Sequence, residues 1–130
     1  MKPFKQKSHD FKVISVDRVV DGDTIDATLD LGFRIHIQRR FRLAGYDAPE
    51  TWRPKSEAER KAGKRVKQFL EEQIEVHKEN LRITTTKDAG IYGRYTGVLY
   101  DPTKSESINT SVFDYIIENK LEKDKLDGKE

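Results

Sequence analysis

The sequence predicts an α+β fold, mainly β, whose order of strands and helices fits a small closed barrel that periodicity by itself does not show. Three observations lead there. The chain has 130 residues, enough for one domain and one modest core. Several segments alternate apolar and polar side chains, the period of a strand with one buried face, and two place apolar residues at helical spacing. The order is three strands, a helix, two strands, a helix, which suits a barrel with helices packed against it.

Each element has its own signal. Residues 1–10 are polar and read as a loose arm, residues 11–120 as the domain, and residues 121–130 as a charged tail. Phe11 to Val20 is rich in Val and Ile and reads as a strand, closed by the hairpin signal Asp21-Gly22. In the next strand Ile25, Ala27, Leu29 and Leu31 alternate with Thr24, Asp26, Thr28 and Asp30. Gly32 turns the chain. A third strand then sets Phe33, Ile35, Ile37, Phe41 and Leu43 on one face, interrupted by Arg39, and Arg34, His36, Gln38, Arg40 and Arg42 on the other. Residues 44–55 form a loop broken by Gly45, Pro49 and Pro54.

Ser56-Glu57-Ala58-Glu59 is a capping box, opening a helix that buries Ala62, Val66, Phe69, Leu70 and Ile74. Asn80 to Lys87 and Tyr95 to Tyr100 read as the fourth and fifth strands. Asp101-Pro102 is a turn. A second helix from about Asn109 turns Val112, Phe113, Ile116, Ile117 and Leu121 inward.

Composition narrows the function classes. The formal net charge is only +2, so bulk electrostatics alone does not announce a polyanion partner. Its distribution is more telling. Arg34 to Arg42 holds four arginines and no acid, and Arg53 to Lys67 holds seven basic residues against Glu57 and Glu59. Such local basic surface suits nucleic acid, although a charge run by itself is also what a solvated helix face looks like. There is no cysteine, which excludes disulfides and thiolate metal sites. No apolar run approaches a membrane span, and Met1 to Lys7 lacks the apolar stretch of a secretory signal. The expectation is a soluble cytoplasmic monomer with no membrane partner, secretion staying open for a chain whose leader has been removed.

The chemistry concentrates at Phe41-Arg42-Leu43-Ala44-Gly45-Tyr46-Asp47-Ala48-Pro49-Glu50. A strand carrying Arg42 runs into a bend carrying Asp47 and Glu50. Hard cations take oxygen ligands and phosphates pair with guanidinium forks, so this segment suits metal-assisted attack on a phosphodiester. Upstream, Val20-Asp21-Gly22-Asp23-Thr24 adds two carboxylates at a turn. Downstream, Ile91-Tyr92-Gly93-Arg94-Tyr95 adds a second arginine.

These three segments, in this order, resemble the staphylococcal nuclease (thermonuclease-like) family, whose marks are a D-G-D-T turn, an R-L-x-x-x-D-x-P-E strand exit and a later Y-G-R. The resemblance covers residues 11–117. It implies a five-stranded OB-type barrel with two or three flanking helices. It also implies a calcium-dependent nuclease that hydrolyses DNA and RNA, preferring single strands, and leaves 3′-phosphate ends. The carried-over metal ligands for one Ca²⁺ are Asp23, Asp47 and the backbone carbonyl of Ala48, where the family usually has threonine. Asp21 lies close by and acts on those ligands rather than on the ion. Glu50 matches the catalytic glutamate, a general base. Arg42 and Arg94 match the two arginines that stabilise the charged phosphorane-like transition state, and Tyr92 matches a substrate contact.

The chain also departs from the pattern. Ile91 stands where lysine is common, and Ile116-Ile117-Glu118-Asn119 replaces the G-L-A turn. No tyrosine follows Tyr115. Trp52 suits either stacking on a base or packing under the loop. Two other readings compete: a non-catalytic module of the same family that binds nucleic acid or protein, and an unrelated OB domain using the Arg34–Arg42 stripe for single-strand binding.

Overall fold

The computed structural model describes residues 9–51, 53–87 and 95–123. Its strands are β1 (His9–Asp21), β2 (Thr24–Asp30), β3 (His36–Leu43), β4 (Arg82–Lys87) and β5 (Tyr95–Tyr100). Its helices are α1 (Glu57–His77), between β3 and β4, and α2 (Ile108–Glu118), after β5. The strands close into a barrel in the order β1-β2-β3-β5-β4, the topology expected of an OB-type fold. Every pairing is antiparallel except β3 with β5, where Arg42 lies opposite Thr96.

The length of β1 makes closure work. Its first residues pair with β4, His9 opposite Thr85, and the rest pair with β2. Three register shifts along the β2 pairing bend the strand so that one element serves two neighbours. His9 and Asp10, which precede the apolar pattern, already pair in β1, and Asp10 has Arg82, Thr84 and Tyr100 as partners across the barrel seam.

Alternation holds through β2, where Ile25, Ala27 and Leu29 are buried. With Phe41, Leu43, Ile83 and Leu99 they fill the barrel, and Val66 and Leu70 of α1 and Val112 and Ile116 of α2 cap it. At the helix start, the Ser56 hydroxyl accepts the Glu59 amide at 3.1 Å, as a capping box requires. The Glu59 carboxylate reaches one residue further back than expected, accepting the Lys55 amide at 2.7 Å.

Two expectations about the core are corrected. Phe33 and Ile35 do not face inward. They are 99% and 54% exposed, because β3 begins only at His36 and the preceding residues form a tight turn beyond the barrel. Phe33 and Arg34 take φ of 54° and 64°, and the Ile35 amide bonds to the Gly32 carbonyl at 2.9 Å. Phe113 and Ile117 are likewise exposed rather than buried, since α2 packs through Val112 and Ile116 and turns its neighbouring face outward.

A turn still ends α2, just past the residues that replace the family's G-L-A. It lies at Lys120, whose φ of 56° is left-handed, with the Lys120 amide bonded to the Ile117 carbonyl and the Leu121 amide to the Ile116 carbonyl. That is a Schellman ending with lysine where glycine is usual. Leu121 is buried as expected, but through this turn rather than through helical spacing, since it lies past the end of α2.

Candidate functional site

The exit of β3 and the β1–β2 turn meet on one side of the barrel. The register puts Thr24 opposite Arg42, so Asp23 lies beside the arginine. The Leu43 amide donates to the Asp23 carbonyl at 2.7 Å and fixes that neighbourhood. Gly22 allows the turn to lie close against α1: a Cβ there would sit 2.5 Å from Val66 Cγ1 and 2.9 Å from the Ala48 Cβ.

Side chains then stitch the turn to the loop after β3. The Tyr46 hydroxyl donates to the Gly22 carbonyl at 2.6 Å. Burial, and secondarily the Asp23 charge, push the Tyr46 phenol far above its ordinary pKa, so it remains a donor. The Ala48 amide donates to Asp23 Oδ2 at 2.9 Å, and the Thr24 hydroxyl to Asp23 Oδ1 at 2.9 Å. Asp21 accepts both the Thr51 amide and the Thr51 hydroxyl. Asp21 therefore ties the loop to the β1–β2 turn.

Arg42 is the hub. Its Nη1 donates to the carbonyls of Leu43 at 2.8 Å and Tyr46 at 2.7 Å. Its Nη2 pairs with Asp47 Oδ1 and lies 3.4 Å from Asp23 Oδ2. Arg42 and Asp23 are largely shielded, whereas Asp47 is 79% exposed. The two carboxylates thus converge on one cationic nitrogen. Carboxylates are donors that a hard cation takes together with a carbonyl and water, and here Arg42 Nη2 holds the place between them. This is not an all-protein cage: among the described residues, no three His, Asp or Glu side chains group to hold a metal ion.

Glu50 follows two residues after Ala48. Its Oε1 accepts from the Lys123 ammonium at 3.2 Å. Burial disfavours the Lys123 charge, but the hydrogen bond and charge of Glu50, joined by the charges of Glu59 and Asp47, outweigh it and raise the lysine pKa. Underneath, α1 presses on the loop backbone at Gly63. A Cβ there would lie 2.8 Å from the Pro49 carbonyl oxygen and 2.9 Å from that of Glu50.

Of the residues singled out in the sequence, Asp21, Asp23, Arg42, Asp47, Ala48 and Glu50 thus share this strand exit. Arg94 and Tyr92 fall outside the described residues, as does Trp52. Sequence reasoning missed Lys123, which reads as part of a charged tail, and Tyr46, whose buried hydroxyl links two segments. Tyrosine in an otherwise apolar-and-glycine stretch was the only available signal for the second.

A cleft of about 420 Å³ opens beside Arg42, Gly45, Asp47 and Thr96. The neighbouring cavity, about 380 Å³, lies between Tyr46 and Asp47 on one side and Phe113, Ile117 and Lys123 on the other. In comparison with known proteins, the family model described as staphylococcal nuclease homologue matches residues 40–114, more than half of the chain. That span begins just before Arg42 and ends inside α2. No curated protein and no solved structure matched. The barrel order, the strand-exit constellation and this match agree: the chain belongs to the staphylococcal nuclease homologue family.

Proposed function

We propose that the protein is a calcium-dependent nuclease that hydrolyses phosphodiester bonds in DNA and RNA, preferring single strands and leaving 3′-phosphate ends. The observation that carries this reading is the convergence of Asp23 and Asp47 on Arg42 at a strand exit that also bears Glu50. Acids beside a phosphate track oppose binding unless a cation intervenes, which weighs against a module that only binds.

Asp23, Asp47 and the Ala48 carbonyl are the groups to hold the ion, which supplies charge neutralisation at the phosphate when bound. The chain's own residues do the rest. Glu50 accepts a proton from, or orients, the water whose oxygen forms the new bond to phosphorus. The bond from phosphorus to the 5′ oxygen breaks, and that oxygen departs with a proton. Arg42, whose Nη1 is committed to the Leu43 and Tyr46 carbonyls, presents its Nε–Nη2 edge to the equatorial phosphate oxygens once the two carboxylates turn to the ion, where a lysine lacks the fork. Arg94 is assigned the second such role and Tyr92 a contact to the nucleotide, both on the sequence pattern. The exposed cleft beside Arg42 admits an extended strand more easily than a stacked duplex.

The test uses labelled single-stranded DNA with Ca²⁺ or with chelator, and a Glu50→Gln variant alongside. Calcium-dependent cleavage reduced by roughly 10²–10⁴-fold in the variant is the expected result. Binding without cleavage under every condition would establish a non-catalytic module instead.

A further inference from the structure

We propose that Lys123 is a positioning residue for Glu50, so that the turn following α2 sets the orientation of the catalytic carboxylate. The inference rests on the nuclease reading above, and it gives a task to a segment that the family resemblance leaves unassigned.

The loop holding Glu50 is pinned through its neighbours. Ala48 is tied to Asp23, Thr51 to Asp21, and the Tyr46 carbonyl to Arg42. All of these fix backbone or adjacent side chains. None fixes the Glu50 side chain, which is half exposed and has three rotatable bonds. Among the described residues, its hydrogen-bond partner is the Lys123 ammonium at 3.2 Å.

Lys123 is itself well placed to act as a fixed point. Leu121, buried two residues earlier, anchors the turn, and the left-handed Lys120 aims the chain back over the loop. The lysine stem borders the same cavity as Phe113, Ile116 and Ile117, apolar side chains along which it can lie while its head reaches the carboxylate. The head is not a free phosphate anchor. Its ammonium already donates to Glu50 Oε1, and the charges of Glu59 and Asp47 also favour its charged form. Holding Glu50 is therefore the role that the surroundings favour over binding substrate.

Three variants of the full chain test this: Lys123→Met, Lys123→Gln and Lys123→Arg. Two readouts are taken. The first is the carboxyl carbon resonance of Glu50 in the absence of metal and substrate, assigned by comparison with Glu50→Gln. The second is kcat and KM on labelled single-stranded DNA with Ca²⁺. The expected result is a Glu50 resonance displaced in Lys123→Met and Lys123→Gln, with kcat lower by about tenfold and KM within about twofold. Lys123→Arg restores most of both. A kcat that stays the same or rises would overturn the proposal, as would an increase confined to KM, which marks a substrate contact. If the unmutated protein cleaves nothing, the nuclease reading fails by itself. The resonance still decides whether Lys123 holds Glu50, and a resonance that does not move refutes it.

Discussion

Gly63 offers the sharpest test of how the barrel and helix place the site. It lies within α1, where alanine is ordinarily better by about 1 kcal/mol. The surroundings oppose that gain. An added Cβ meets the Pro49 carbonyl oxygen at 2.8 Å, the Glu50 carbonyl oxygen at 2.9 Å and Thr51 Cγ2 at 3.0 Å. Two of these three atoms are backbone, so relief requires the loop to move by a few tenths of an ångström. Overpacking of this kind costs about 1–3 kcal/mol, and subtracting the helix gain leaves Gly63→Ala destabilised by roughly 0–2 kcal/mol. On the proposed nuclease reading kcat is the more sensitive measure, because the displaced segment carries Glu50. Misplacement by about 1 Å costs on the order of 10²-fold, so a smaller shift is expected to lower kcat by roughly tenfold. Urea unfolding and kcat on labelled single-stranded DNA with Ca²⁺ measure the two effects. A variant stabilised by about 1 kcal/mol with unchanged kcat would refute the claim that α1 sets the loop position.

Further predictions follow from other contacts. Arg42→Lys removes the fork that spans two carbonyls and two carboxylates, and kcat is expected to fall by roughly 10²–10³-fold with the fold retained by circular dichroism. Asn109 is buried, accepts the Leu99 amide and donates to the Ala44 and Gly97 carbonyls, so Asn109→Ala is expected to cost about 2–4 kcal/mol in urea unfolding. The Thr103 hydroxyl and amide, and then His77, hold the Asp101 carboxyl below its ordinary range. A carboxylate with a depressed folded pKa stabilises the fold above its unfolded value, and that contribution is lost as pH falls through the folded value. The melting temperature is therefore expected to drop below about pH 4, and Asp101→Asn to flatten that drop.

The elements were legible in the sequence wherever one face is buried. Ile25, Ala27 and Leu29 announce β2, and Val66 and Leu70 announce α1, because burial enforces the period. The same logic misled at Phe33 and Ile35, which continue the alternation of β3 in sequence but lie past the point where the barrel pairs it. Periodicity does not reveal where a hairpin turns. It also overcounted the inner face of α2, since Phe113 and Ile117 flank the buried stripe without joining it. At the candidate site, the meeting of Asp23 and Asp47 at Arg42, with Glu50 on the same strand exit, was foreseeable because each stands in a short ordered motif. Lys123 was not. Its partner lies 73 positions earlier, and only the left-handed turn at Lys120 brings them together. A lysine in that backbone conformation has no sequence signal, since glycine is the residue that announces such a turn.

The ties among Gly22, Asp21, Asp23 and the loop from Tyr46 to Thr51 span 24 to 30 positions of chain. They can form only after β1, β2 and β3 have found their register. The reactive corner and the barrel therefore belong to one cooperative unit, unlike a surface loop that opens by itself. Amide protons of Ala48 and Thr51 should exchange with solvent water on the schedule of global unfolding, and a partly folded chain would carry no residual copy of this corner.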